Sequence, residues 1–180
     1  MEDFKSLLES EFLPYGTLST EQLSQLEQHY QLLLCWNQRL NLTRITELLD
    51  AVRYHYCESL YLGHSLPKNP LRVVDIGSGA GFPGIPVAIL RPDCRVDLVE
   101  SHQRKAVFLR EAARNLPNVE ILPKRAETLF GVYDWMISRA VRPEDVLKLK
   151  LAPNVSVLGT EGDRLPWGEN RALFHVKRST

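Results

Sequence analysis

Apolar residues recur every three or four positions through the first 66 residues, a spacing that predicts helices. The clearest helix begins after Ser19, where Gln22 stands three residues further on as the partner in a capping box. We expect this helix to end between 37 and 41, and a further helix to begin at Thr46. The apolar stripe of the first of these helices consists of Leu23, Leu26, Tyr30, Leu33 and Leu34.

The pattern changes at the prolines of 67–70, which disfavour helix. We predict strands at 71–76, 95–100, 118–122, 133–138, 155–159 and, at the sheet edge, 172–177, with helices at 84–90, 102–115 and 143–151. This alternation predicts an α/β fold with a doubly wound, mainly parallel sheet. The chain then divides into a helical N-terminal cap, 1–66, and an α/β domain, 67–180, whose last residues, 178–180, we expect to fray.

Composition narrows the function classes. A chain of 180 residues suffices for one domain with a small appendage, and its 44% hydrophobic content is ordinary for a globular protein. The formal net charge of zero argues against general nucleic-acid binding through an overall basic surface, although it leaves room for a local basic face. The three cysteines are far apart and lack C-x-x-C spacing, so we predict neither a disulfide framework nor a metal site.

No apolar stretch reaches the length that spans a bilayer, and the residues after Met1 lack the pattern of a secretion signal. We therefore expect a cytoplasmic location and no membrane partner. For the oligomeric state we expect a monomer.

The most informative chemistry lies between the first predicted strand and the helix after it. Gly77, Gly79 and Gly81 alternate with small residues, which lets the backbone turn sharply and approach a ligand closely. Asp75 precedes them in a D-x-G-x-G-x-G pattern, whereas a dinucleotide site uses G-x-G-x-x-G and would place no carboxylate beside a diphosphate. A carboxylate suits the ammonium and sulfonium of S-adenosylmethionine. A glycine turn without a ligand, and an NAD-linked oxidoreductase, are the alternatives.

Three later strand ends carry polar residues to the same edge of the predicted sheet. Glu100 follows Gly81 by nineteen positions, where a nucleotide-binding fold places an acid on the ribose hydroxyls. The run 124–127 could meet an adenine edge, although alone it is typical of a solvated loop. Arg139 ends the fourth strand. It could clamp a phosphate or base, form a salt bridge with a neighbouring acid, or be a solvated loop residue.

At the level of whole motifs, the chain resembles the bacterial glucose-inhibited division protein B family. The residues that carry the resemblance are Trp36-Asn37-Gln38-Arg39-Leu40-Asn41-Leu42-Thr43, Ile45, His55, Glu58-Ser59-Leu60, Asp75-Ile76-Gly77-Ser78-Gly79-Ala80-Gly81-Phe82-Pro83-Gly84-Ile85-Pro86 and Ile137-Ser138-Arg139-Ala140. They span about Leu32 to Gly162. The resemblance implies a class I, Rossmann-like S-adenosylmethionine-dependent methyltransferase that acts on guanine N7 in small-subunit (16S) ribosomal RNA, free or in the small ribosomal subunit.

The resemblance also implies roles for single residues. Gly77 and Phe82 would line the methionine and ribose part of the cofactor pocket, while Ala126 and Glu127 would meet the adenine. Arg139 would stand where cofactor and target meet. Guanine N7 has a free lone pair, so we predict no essential histidine or cysteine nucleophile. His55 is predicted to be a helix-packing or hydrogen-bonded histidine, with an acid or base as the alternative.

The chain departs from the family after the fifth strand. The segment Leu158-Gly159-Thr160-Glu161-Gly162 stands where the family tends to have lysine followed by glycine. We expect that a helix normally found beyond it, with or without a strand, is missing. We expect cofactor binding to be retained despite this change, whereas substrate recognition is more strongly affected by it. A module of the same fold that binds cofactor or RNA without turnover is therefore the alternative to an active methyltransferase.

Overall fold

Seven strands form one sheet in this computed structural model, which describes residues 3–177. The predicted fraying at 178–180 lies outside the described residues. The strands are β1 Arg72–Ile76, β2 Arg95–Val99, β3 Val119–Leu122, β4 Trp135–Arg139, β5 Asn154–Gly159, β6 Asp163–Arg164 and β7 Ala172–Lys177. Their order is β3-β2-β1-β4-β5-β7-β6, with β1 to β5 parallel and β7 antiparallel to both neighbours. The doubly wound, mainly parallel α/β prediction is confirmed.

The helices are α1 Phe4–Phe12, α2 Thr20–Asn37, α3 (the consecutive segments Leu48–Asp50, Ala51–Cys57 and Glu58–Ser65), α4 Gly84–Leu90, α5 Gln103–Ala112 and α6 Pro143–Lys148, with a 3-10 turn at Ala126–Thr128. The predicted capping box is present, because Ser19 Oγ accepts from Gln22 N and Gln22 Oε1 accepts from Ser19 N. Helix α1 lies within the predicted helical region 1–66, but its short apolar pattern does not define a separate helix.

The third helix differs from the ordinary helix that we predict from Thr46. It consists of α-helical Leu48–Asp50, π-helical Ala51–Cys57 and α-helical Glu58–Ser65, which follow one another without a break. Every residue from 55 to 60 is buried. Where the helix is buried on all sides, at 55–60, it has no polar face, so apolar periodicity does not reveal its local geometry.

The C-terminal strand is correctly predicted, but its position at the sheet edge is wrong. β7 lies between β5 and the two-residue β6, which forms the edge instead. The two residues of β6, at 163–164, show no apolar alternation, so the sequence pattern does not predict this strand. Within 160–171 the described chain has no helix, in keeping with the expected shortening.

The helical cap and the sheet share one hydrophobic core. Phe4, Leu33 and Leu60 belong to the same buried cluster as Val73 and Leu98 in the central strands. A second cluster covers the other face of the sheet. The division into a cap and a separate domain stays a prediction, while the shared core fixes the cap against the carboxyl edge that holds the candidate site.

Within residues 3–177, no helix combines the length and apolar character needed to cross a membrane. The same part of the chain contains no group of three or more histidine, cysteine, aspartate or glutamate side chains arranged to hold a metal ion.

Candidate functional site

The glycine loop connects β1 to α4 at the carboxyl edge of the sheet. Gly77, Gly79 and Gly81 have φ values of 69°, 54° and 94°, in the left-handed region where side chains are strained. At Gly81 a Cβ would also stand 2.6 Å from Ile85 Cδ1. The loop therefore requires glycine for its backbone shape, and this shape is held by hydrogen bonds from Ser78 N to the Val99 carbonyl and from Gly81 N to the Ser78 carbonyl.

Asp75 lies fully buried beneath this loop. Its Oδ2 accepts from Gly84 N at 3.0 Å, which ties the strand to the first turn of α4, while its Oδ1 has no partner. Burial raises the pKa of Asp75 to about 7. Asp75 does not line the cavity described below; its unpartnered oxygen lies beneath the loop, where a negative charge would favour a cofactor with cationic groups and disfavour a diphosphate.

Four of the sequence-predicted site residues meet in one cavity. Gly77, Glu100, Ala126 and Glu127 line a cavity of about 220 Å³ beside the ends of β1 and β2. Glu100 Oε2 accepts from Gly79 N at 2.8 Å and its Oε1 accepts from His102 N at 2.9 Å. Each oxygen keeps a second lone pair, so the carboxylate can hold the glycine loop and still accept from two ribose hydroxyls.

Arg139 and Phe82 lie in a different cluster, centred on His55. The Phe82 ring stacks on the His55 ring with centroids 4.4 Å apart and planes 10° from parallel, and the Arg139 guanidinium lies 5.9 Å from the Phe82 centroid. Arg139 Nη1 also contacts His55 Nδ1. Burial lowers the pKa of Arg139 to about 10, so the guanidinium stays charged at neutral pH.

His55 is buried and hydrogen-bonded, as predicted from the chemistry of the reaction. Its Nε2 lies 2.8 Å from Thr43 Oγ1, and burial together with nearby Arg139 lowers its pKa to about 2. The ring is therefore neutral at any physiological pH and is a poor candidate for a general acid.

Glu58 and Arg171 form a bidentate ion pair near the site, and the sequence patterns assign neither residue a role. Arg171 Nε and Nη2 donate to the two carboxylate oxygens of the fully buried Glu58 at 2.8 and 2.6 Å. A charged residue inside an otherwise apolar helical stretch was the available signal. Next to this pair, Arg171 and Val141 line a second cavity of about 280 Å³, at the ends of β4 and β5.

His29 ties the helical cap to the glycine loop. Its Nε2 lies 2.9 Å from the Ala80 carbonyl oxygen, which can only accept, so Nε2 carries the proton and Nδ1 accepts from Tyr56 Oη at 2.8 Å. Burial lowers the pKa of His29 to about 4. Helix α2 thus holds the loop through a neutral imidazole.

This burial predicts an acid-sensitive contribution to stability. In the unfolded chain His29 binds a proton below about pH 6.5, whereas in the folded chain it does so only near pH 4. The contribution of the neutral His29 to the free energy of unfolding is therefore complete above pH 6.5 and falls by about 3 kcal/mol as the pH approaches 4. The raised pKa of Asp75 has the opposite effect, because the folded chain gains stability as the pH falls below about 7 and this carboxyl binds a proton. The difference in unfolding free energy between wild type and His29→Gln, measured by urea titration, should therefore narrow as the pH falls from 7.5 to 4.5. A constant difference would contradict the neutral imidazole.

Solved structures resemble this fold at low sequence identity. The chain is similar to a putative protein-L-isoaspartate O-methyltransferase from Plasmodium falciparum in complex with S-adenosyl-L-homocysteine, with a TM-score of 0.54, 17% identity and coverage of 100% of this chain and 92% of that one. It is also similar to a ribosomal protein L11 methylase from Lactobacillus delbrueckii subsp. bulgaricus, with a TM-score of 0.54, 13% identity and coverage of 69% and 79%. The fold is that of the class I S-adenosylmethionine-dependent methyltransferases.

Sequence comparison is more specific. The profile of the GidB family, described as rRNA small subunit methyltransferase G, matches residues 22–160. The ribosomal RNA small subunit methyltransferase G of Bacillus cereus (strain AH187) is 36% identical over 170 residues, which covers 89% of this chain and 70% of that relative. The same protein of Bacillus thuringiensis (strain Al Hakam) matches equally. The chain belongs to this family.

Proposed function

We propose that this protein transfers a methyl group from S-adenosylmethionine to N7 of a guanine in small-subunit (16S) ribosomal RNA. The observation that carries the proposal is the pairing of two adjoining sites in a member of this family. One is the cavity lined by Gly77, Glu100, Ala126 and Glu127, and the other is the cluster around Arg139. The first suits a nucleoside and the second suits an anionic or carbonyl oxygen.

The residues of the first cavity would hold the cofactor. Glu100 would accept from the ribose hydroxyls, while Ala126 and Glu127 would meet the adenine through a backbone amide and a side chain. Gly77, Gly79 and Gly81 would let the backbone approach the methionine part, with Phe82 beside it and the Asp75 carboxylate below. Bound S-adenosylmethionine supplies an electrophilic methyl group.

The proposed reaction then requires little acid–base chemistry from the protein. Guanine N7 carries a free lone pair, so no side chain needs to remove a proton and the enzyme mainly aligns the target with the methyl donor. Arg139, charged at neutral pH, would donate to guanine O6 or to a phosphate and hold the base in line. The second cavity, beside Val141 and Arg171, lies next to the glycine loop and offers room for the target base.

The target nucleotide must be exposed, because N7 lies in the deep major groove of an A-form helix. Arg39 and Arg44 are exposed and suit contacts to the RNA backbone. Arg53 is held by Glu11 at 2.8 and 2.9 Å, and Arg142 lies 3.0 Å from Asp145, so both would have to exchange partners. With ribosomal RNA as substrate, we place the protein in the bacterial cytoplasm, as a monomer.

Label transfer tests this function directly. The protein is incubated with S-adenosylmethionine labelled in its methyl group and with small subunits, naked small-subunit RNA or large subunits as three parallel substrates. We expect label in small-subunit RNA and none in the large subunit. Label in protein or in a small molecule would refute the RNA substrate. Calorimetric binding of the cofactor without any transfer would support the non-enzymatic module, and tight binding of NAD instead would support the dinucleotide alternative.

The charge of Asp75 should contribute to cofactor affinity. Asp75→Asn keeps an acceptor for Gly84 N and removes the carboxylate, so we expect calorimetry to show about tenfold weaker binding, about 1.4 kcal/mol. In wild type the affinity should rise as the pH increases through about 7, where the carboxyl ionises, and this rise should vanish in the variant. Equal affinities would limit Asp75 to holding the helix.

A further inference from the structure

The hydrogen bonds around His55 define which of its nitrogens carries the proton. A guanidinium has no acceptor, so His55 Nδ1 must accept from Arg139 Nη1. The neutral ring then carries its proton on Nε2 and donates it to Thr43 Oγ1, 2.8 Å away. Thr43 Oγ1 also accepts from Ile45 N at 3.0 Å, which uses its second lone pair. The donor and acceptor roles are therefore fixed at Arg139 Nη1, at both His55 nitrogens and at the two lone pairs of Thr43 Oγ1.

The loop that carries Thr43 is itself held firmly. Asn37, at the end of α2, accepts through Oδ1 from Leu42 N and Thr43 N at 2.8 and 3.0 Å, and its Nδ2 donates to the Thr43 carbonyl at 2.9 Å. The chain of contacts runs from Asn37 through Thr43 and His55 to Arg139. It links a motif of the helical cap to the fourth strand, almost a hundred positions later in the sequence.

Stacking fixes the remaining freedom of the histidine. The His55 ring lies flat against Phe82, whose backbone continues the glycine loop, and the ring is only 4% exposed. A ring held by a hydrogen bond at each nitrogen and by a stacked face cannot turn without losing one of these contacts. The guanidinium that it holds is therefore oriented relative to the glycine loop.

We propose that His55, set in place by Thr43, is a positioning residue that orients Arg139 for methyl transfer. This inference rests on the proposed function. It predicts that loss of the Nδ1 acceptor lowers the rate of transfer and leaves cofactor binding unchanged, because His55 acts on the target side of the site.

Matched variants separate orientation from packing. His55→Phe keeps a ring to stack on Phe82 and removes the acceptor, so we expect kcat to fall about 100-fold with the KM for S-adenosylmethionine within twofold of wild type. His55→Asn places an amide oxygen near the position of Nδ1 and should recover most of the rate. Thr43→Val should lower kcat and Thr43→Ser should restore it. A rate for His55→Phe near that of wild type would overturn the proposal.

Two further readouts distinguish this role from a general structural one. In an Arg139→Ala background, single-turnover rates should be the same with His55 or with Phe at position 55, since there is no guanidinium left to orient. An additional loss of similar size would overturn the proposal. Nitrogen NMR of the wild type at pH 7 should show that His55 is protonated at Nε2 and unprotonated at Nδ1. The opposite tautomer would also overturn the proposal. The wild-type transfer rate tests the proposed function separately, and the tautomer can be read even if no transfer occurs.

Discussion

Arg139→Ala is expected to lower kcat for methyl transfer about 100- to 1,000-fold, the range seen when a positioned donor is removed from an active site. Arg139 is half-buried, and its guanidinium contacts His55 Nδ1 and lies against Phe82, so it is held before the substrate arrives. Steady-state rates with labelled methyl donor and small subunits measure the effect. Cofactor affinity should change by less than a few fold, because Arg139 does not line the nucleoside cavity.

Arg142→Ala is the matched control for this change. Arg142 follows in the same segment and lines the second cavity, but its side chain is exposed and paired with Asp145 and Glu144. Its loss should weaken RNA binding slightly and leave kcat near wild type. Equal losses of kcat in both variants would show that general positive charge, rather than the oriented guanidinium of Arg139, supports transfer.

Gly84→Ala is expected to destabilise the fold and to abolish cofactor binding. An added Cβ would contact Leu98 Cδ2 and would stand 2.6 Å from Asp75 Oδ2, two buried groups that cannot move freely. Overpacking of this kind costs roughly 1–3 kcal/mol, and relief of the contact would displace the glycine loop from β1. Thermal unfolding and calorimetry with S-adenosylmethionine measure the two effects.

Gly159→Ala provides the corresponding control. Gly159 ends β5, and an added Cβ there meets no atom within 4 Å. We expect an unfolding temperature close to that of wild type. If Gly84→Ala unfolded at the wild-type temperature and bound cofactor normally, the tight contact between the loop and Asp75 would not be needed.

Much of the sheet could be predicted because its central strands β1, β2, β4 and β5 are buried on both faces and appear as apolar runs between turn residues. The helix Gly84–Leu90 and the capping box at Ser19 were found at the observed positions for local reasons, a glycine loop and a side-chain cap. The edge strand β6 and the π-helical turn were not, because their geometry depends on neighbours in the fold rather than on local pattern.

The candidate site was predictable where it depends on strand ends. Glu100 and the run at 124–127 follow parallel strands, and topology alone brings them to one edge. The contacts of Glu58 with Arg171, and of Thr43 with His55, join residues from separate parts of the chain. No spacing in one sequence encodes such pairs, so only the folded chain reveals how Arg139 is oriented.

Base-resolved mapping of N7-methylguanine is the most direct test of the proposed reaction. Small-subunit RNA is incubated with the protein and S-adenosylmethionine, the chain is cleaved chemically at N7-methylguanine, and the fragments are mapped against RNA treated with the Arg139→Ala variant. We expect one new cleavage at a single guanine, nearly absent with the variant. Cleavage unchanged from untreated RNA, or methyl label recovered from a base atom other than guanine N7, would contradict the proposed function.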